Sequence, residues 1–221
     1  MKNFRKLSIV AALATAITFT ANCSILNPSD DDDDQSLAAA ALVLLGQGCT
    51  VGASAFTAAG VTCSGGMATG TGTMFSTAAH GDDFSIQLDY TLGTGGTMYV
   101  LSGLTGTTID SNSGSGMYIT TTAINGVRPT NVAGSATGLT APGTSSASLC
   151  LEIHYDESPD HIIANAAACP TGTVNTSTAS FESEATAVSG TSDVTGTNWG
   201  FILNNATITN ITVNATNKFV E

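Results

Sequence analysis

Phe84-Ser-Ile-Gln-Leu-Asp-Tyr-Thr-Leu92 alternates without a break. Phe84, Ile86, Leu88, Tyr90 and Leu92 fall on one face of an extended chain, and Ser85, Gln87, Asp89 and Thr91 on the other. Successive side chains of a strand point to opposite faces, so this stretch predicts a half-buried β-strand.

The same period recurs on either side. Thr97 to Leu101 follows Gly93-Thr-Gly-Gly96, which predicts a hairpin. Met117 to Ile124 and Val127 flank Asn125-Gly126, the dipeptide of a type I′ turn. Leu149, Leu151, Ile153 and Tyr155 make another inward face, with His161 to Ala164 as its return strand, and Phe181 to Val188 gives a weaker pattern. Trp199 to Val213 predicts two strands, because Phe201 and Leu203 are in phase whereas Ile208 and Ile211 differ by an odd step. A bulge or turn near Asn210 would reconcile them. Strands at this spacing, with no long helical pattern, predict an all-β fold: an antiparallel β-sandwich of jelly-roll type. A β-helix would need a fixed repeat, which the sequence lacks. The strand set, ending in Trp199-Gly-Phe-Ile-Leu203 and a Thr-rich strand, loosely resembles laminin-G and concanavalin-like sandwiches.

The chain begins differently. Lys2, Arg5 and Lys6 precede an uncharged apolar run, Leu7 to Phe19, and then Thr20-Ala21-Asn22-Cys23. This is the layout of a secretory signal, too short to span a bilayer comfortably. A cysteine at that place can carry a diacylglyceryl group, and cleavage before it frees an amine for a further acyl chain. Each buried methylene contributes about 0.8 kcal/mol, so two or three chains anchor stably where one would not. The stretch resembles a bacterial lipobox, departing from the common Leu-Ala-Gly-Cys form at Thr20 and Asn22 as the looser spirochaetal lipoboxes do. That resemblance implies Cys23 as the lipidation site, with palmitate-type chains, and a cell-envelope location: the outer membrane, surface- or periplasm-facing. Residues 1–22 form the expected signal peptide and 23–35 an acidic tether containing Asp30 to Asp34, leaving 36–221 as one domain. Ser36 to Leu45 predicts a short apolar helix, capped by Ser36 and ended by Gly46.

The whole chain carries a net charge of −12, with five basic residues and 17 acidic ones. Three of the five basic residues precede Cys23, so only Arg128 and Lys218 remain after cleavage. Binding to nucleic acid needs clustered Lys and Arg, and their scarcity excludes it. The membrane would be reached through acyl chains rather than through charge. Beyond Cys23 there are four cysteines, Cys49, Cys63, Cys150 and Cys169, an even number in an exported chain. Three pairings are open, and the local one, 49–63 with 150–169, is favoured.

Chemistry could sit on Leu149 to His161 (LCLEIHYDESPDH). On the predicted strand Glu152, His154 and Asp156 share the outer face, and Glu157, Asp160 and His161 follow. Glu152, His154, Asp156 and Asp160 could hold calcium or zinc, although no established ligand spacing is matched; a solvated strand and turn accounts for them equally. His80-Gly-Asp-Asp83 is a second acidic turn. Glu152, Asp156, Glu182 and Glu184 supply carboxylates but no evident facing pair of the glycosidase kind. Ser111 to Gly116 reads as a loop rather than a nucleophile elbow. Trp199 and Tyr155 could line a sugar platform, but with few aromatics Trp199 belongs to the core. The sequence thus predicts no catalytic residue and no required cofactor. It predicts an acyl-anchored, non-enzymatic binding or adhesion module with a protein or glycan partner. The alternative is a carbohydrate-binding module, calcium-dependent or not, and a hydrolase ranks third.

Overall fold

The computed structural model describes residues 47–80, 84–106, 108–111, 113–127, 139–154, 161–184 and 196–220, the side chains of 181–184 excepted. The signal, Cys23, the tether and the expected helix at 36–45 lie outside this range. So do Asp82, Asp83, Tyr155, Asp156, Glu157, Asp160 and residues 185–188.

The strands are β1 (Gln47–Val51), β2 (Ser54–Ser64), β3 (Met67–Ser76), β4 (Ser85–Leu104), β5 (Ser115–Thr120) and β6 (Ile124–Val127). They continue as β7 (Ala147–His154), β8 (His161–Asn165), β9 (Val174–Asn175), β10 (Phe181–Glu184), β11 (Asn198–Asn214) and β12 (Phe219–Val220). The fold is all-β and antiparallel, of the sandwich type. One sheet runs β1-β2-β3-β11-β4-β7-β8-β10, with β5 and β6 branching from β4, and β9 and β12 form a small parallel pair. Among the described residues no helix is long and apolar enough to cross a membrane.

β4 and β11 are the backbone of the sheet. β4 pairs with β11 along nearly its whole length, while its other edge takes β7 on Ser85–Tyr90 and β5 on Thr97–Ser102. The strand expected at Phe84 to Leu92 is borne out side chain by side chain: Phe84, Ile86, Leu88, Tyr90 and Leu92 are all buried. They join Phe56, Met74, Met98, Val100, Phe201, Leu203 and Ile208 in one apolar core. Trp199 is buried there too, its ring edge-on to Phe56 at 5.1 Å and tilted on Phe84 at 5.5 Å. Core packing, not a sugar platform, is the role of Trp199.

Three local expectations are corrected. Gly93 to Gly96 does not turn a hairpin; it is an excursion within β4. Thr97 pairs with Asn204 and Leu92 with Ala206, so four residues of β4 stand opposite one residue of β11. That residue, Asn205, has the left-handed φ of 49° that asparagine tolerates. Its Nδ2 donates to the Thr94 carbonyl at 3.1 Å, and its N–H donates to Thr71 Oγ1 at 3.1 Å. Gly93 makes room, since a Cβ there would stand 2.4 Å from Asn205 Nδ2. Because four is even, Met98 and Val100 stay in phase with Leu92 and remain buried.

The segment Trp199 to Val213 is likewise one strand, not two. The register shifts at Asn205 and again between Ile208 and Asn210, which is where the odd step predicts a bulge. Bulges let a single strand change inward phase without leaving the sheet. Finally, Asn125 and Gly126 lie inside β6, opposite Tyr118 and Met117. The turn comes earlier, at residues 121–123, because Thr120 Oγ1 accepts from the N–H of Ala123 at 2.8 Å and of Thr122 at 3.1 Å. A side chain that satisfies two turn amides outweighs the dipeptide's preference.

Disulfides join Cys49 to Cys63 and Cys150 to Cys169, the local pairing. They point to an extracytoplasmic location.

Candidate functional site

Three places bring functional groups together. The first contains the residues expected to form a metal site. Glu152 and His154 do share a face of β7, but that face is covered rather than solvated. Glu152 is fully buried and His154 nearly so. The cover is the C-terminal segment, which crosses the start of β4 and lays β12 beside β9. Asn217 Oδ1 accepts from the Phe84 N–H at 3.1 Å. Glu152 Oε2 accepts from the backbone N–H of Lys218 at 2.5 Å and of Phe219 at 3.3 Å, and Oε1 lies 2.6 Å from His154 Nε2. His154 pairs across the sheet with buried His161, ring edge to ring face at 5.9 Å. The outward-facing expectation fails because alternation along β7 carries no information about a strap some 65 residues downstream. The arrangement closes the chain end: a buried carboxylate holds two amides that β12 would otherwise leave unsatisfied. No group of three or more ligating side chains occurs among the described residues. His80 of the second acidic turn is built into the fold, with Nε2 2.9 Å from Ser102 Oγ and its ring stacked on Phe84 at 4.7 Å.

The second place is an open cleft of about 410 Å³ on the outward side of β4. Asp89, Ser146, Ser148, Ala167 and Thr209 line it. Asp89 sits between its two cross-strand neighbours: Ser148 Oγ donates to Oδ1 at 2.6 Å and Asn210 Nδ2 to Oδ2 at 3.1 Å. Each carboxylate oxygen already accepts a hydrogen bond from the fold, so Asp89 serves first to join three strands.

The third place escaped the sequence analysis. On β4, Met98 and Val100 point into the core and Tyr99 points out; on β5, Met117 and Ile119 point in and Tyr118 points out. Tyr99 and Tyr118 are direct cross-strand partners, half-buried, with rings stacked at 4.3 Å and 27°. Ile202 flanks Tyr99 on β11, and Asn125 flanks Tyr118 on β6. At one end Leu101, Leu104 and Val127 form a small buried cluster, with Phe75, Tyr99, Ile109, Tyr118 and Ile202 packed against it. Gly200 lies close against β3, since a Cβ there would stand 2.3 Å from the Met74 carbonyl oxygen as well as 3.2 Å from Ile109 Cδ1. Burial pushes the Tyr99 hydroxyl above its ordinary pKa, and Tyr118 adds to the rise. The Tyr99 phenol therefore keeps its proton at physiological pH, and a phenol hydroxyl can both donate and accept hydrogen bonds. The signal was present in the sequence: an aromatic at the outward phase of two alternating strands, in Thr97-Met-Tyr-Val-Leu101 and Gly116-Met-Tyr-Ile-Thr120.

No protein-family model matches the chain, and no curated protein does. Among solved structures, a carbohydrate-binding module from Bacillus subtilis is similar over 66% of this chain and 84% of its own, at 14% identity and a TM-score of 0.41. A Trypanosoma rangeli sialidase is similar over 74% of this chain at 12% identity and a TM-score of 0.44, and the match spans 27% of the sialidase. At such identities and TM-scores neither neighbour's activity transfers to this chain.

Proposed function

We propose that the chain is a non-enzymatic binding module of the cell envelope, held at the outer membrane by acyl chains on Cys23. Its binding surface is the outward face built from β3, β11, β4 and β5. The observation that carries this reading is the stacked Tyr99–Tyr118 pair. Large rigid rings left half-exposed on a sheet face provide contact area at low conformational cost, the character of recognition surfaces. The non-enzymatic reading is supported by the use of Glu152, which lies at the head of the acidic constellation and holds backbone amides inside the fold. The export signal, the four paired cysteines and the acidic spacer support display outside the cytoplasm.

The test has two parts. Cys23→Ala should move the full-length protein from the membrane fraction to the soluble one and abolish labelling by a fatty-acid probe; unchanged retention refutes the anchor. Tyr99→Ala with Tyr118→Ala should abolish adhesion of the purified protein to cell-envelope material while leaving its melting temperature within a few degrees. Adhesion that survives the double substitution refutes the surface.

A further inference from the structure

We infer that the ligand of the Tyr99–Tyr118 face is a neutral glycan, an inference that rests on the binding-surface reading above. The outward residues around the two rings are Thr73, Ile202 and Asn204 on one side and Thr97, Thr120 and Asn125 on the other. None of the outward strand residues around the pair is charged, in a chain whose net charge is −12. Among the described residues an acid, Asp110, stands on the exposed loop that carries Ile109 at one end of the face. The uncharged described strand residues offer nothing to pair with a cationic or anionic epitope, and the chain's net negative charge repels sulfated or sialylated polysaccharides.

What the face does offer is ring surface, two phenol hydroxyls, threonine hydroxyls and asparagine amides. Aromatic rings take the apolar C–H face of a pyranose, while hydroxyls and amides, which both donate and accept, match its equatorial hydroxyls. The rings supply the main contact, and the polar residues fix orientation.

The experiment is calorimetry or affinity electrophoresis of the full-length, detergent-solubilised protein. The probes are neutral glucan, mannan and galactan, compared with sulfated and sialylated polysaccharides. Binding to at least one neutral polysaccharide is expected, unchanged between 50 mM and roughly 0.5 M salt because no charge is screened. Tyr99→Ala and Tyr118→Ala should each weaken it about tenfold or more, Tyr118→Phe should retain it, and Val220→Ser, exposed on β12 outside this face, should leave it unchanged. Binding confined to the anionic polysaccharides, loss of binding in salt, or equal loss in Tyr118→Phe and Tyr118→Ala would overturn the glycan assignment. If no polysaccharide binds but a purified protein ligand is lost in Tyr99→Ala, the surface stands and the glycan falls. If neutral-glycan binding survives both alanine variants, the surface itself falls.

Discussion

Glu152 shows how far one side chain can depart from what its neighbours in sequence suggest. Its alternation places it outward, yet it is fully buried because Lys218 and Phe219 bring their amides to it. Glu152→Gln keeps the shape but replaces one of two accepting oxygens by an amide donor, so either the strap amides or His154 Nε2 loses a carboxylate partner. The cost should be about 1–3 kcal/mol by urea denaturation, with faster hydrogen exchange at residues 218–219 than elsewhere. An unchanged exchange rate there would show that the clamp does not hold the strap. Tyr90 makes the complementary case on the same sheet. Burial pushes its hydroxyl from 10.0 to about 12. In the unfolded chain the phenol loses its proton near pH 10, while the folded chain keeps it until about pH 12. The unfolded state therefore binds fewer protons in that window, and stability falls as pH rises through it. Roughly 2 kcal/mol should be lost between those limits and none below them. Tyr90→Phe should flatten the slope, and an identical slope in that variant would assign the loss to other groups.

At the scale of elements, the inward phases of β4 and β11 were legible and their punctuation was not. Phe84 to Leu92 gave the strand correctly because burial on one face imposes a strict period of two. Gly93-Thr-Gly-Gly96 and Asn125-Gly126 misled because glycine marks any place where backbone approaches backbone or side chain closely, and a turn is only one such place. In β4 the place is the seat of Asn205. Gly93→Ala should therefore be destabilising by about 1–3 kcal/mol, since the new methyl group meets a side chain already fixed by its bond to Thr94. Asn205→Gly combined with Gly93→Ala should recover part of that loss, as the obstruction is gone and the left-handed φ is kept. Additive losses in the double variant would place the strain elsewhere. The polar outward residues of β4 follow one logic too. Ser85 reaches the Thr216 carbonyl, Gln87 the Cys169 N–H, Asp89 its two neighbours and Thr91 the Ser146 hydroxyl. A period of two shows that these side chains face away from the core, but not that other segments come to them.

For the whole molecule, the class of fold and the cysteine pairing could be read in advance, whereas the proposed surface could not. A strand pattern records which residues point away from the core, and only the assembled sheet shows which outward residues stand side by side. Tyr99 and Tyr118 are separated by 19 positions and by a loop, and they meet through the β4–β5 register alone. The insertion of β11 between β3 and β4 has a temporal consequence. Both flanking strands leave the ribosome well before residue 198, and until Asn198–Asn214 follows them they share no neighbour and the core lacks Trp199, Phe201 and Leu203. Such long-range closure is slow and comes late. A nascent chain of this kind cannot close its core before Asn198–Asn214 has emerged, so every earlier strand waits with its inward face uncovered.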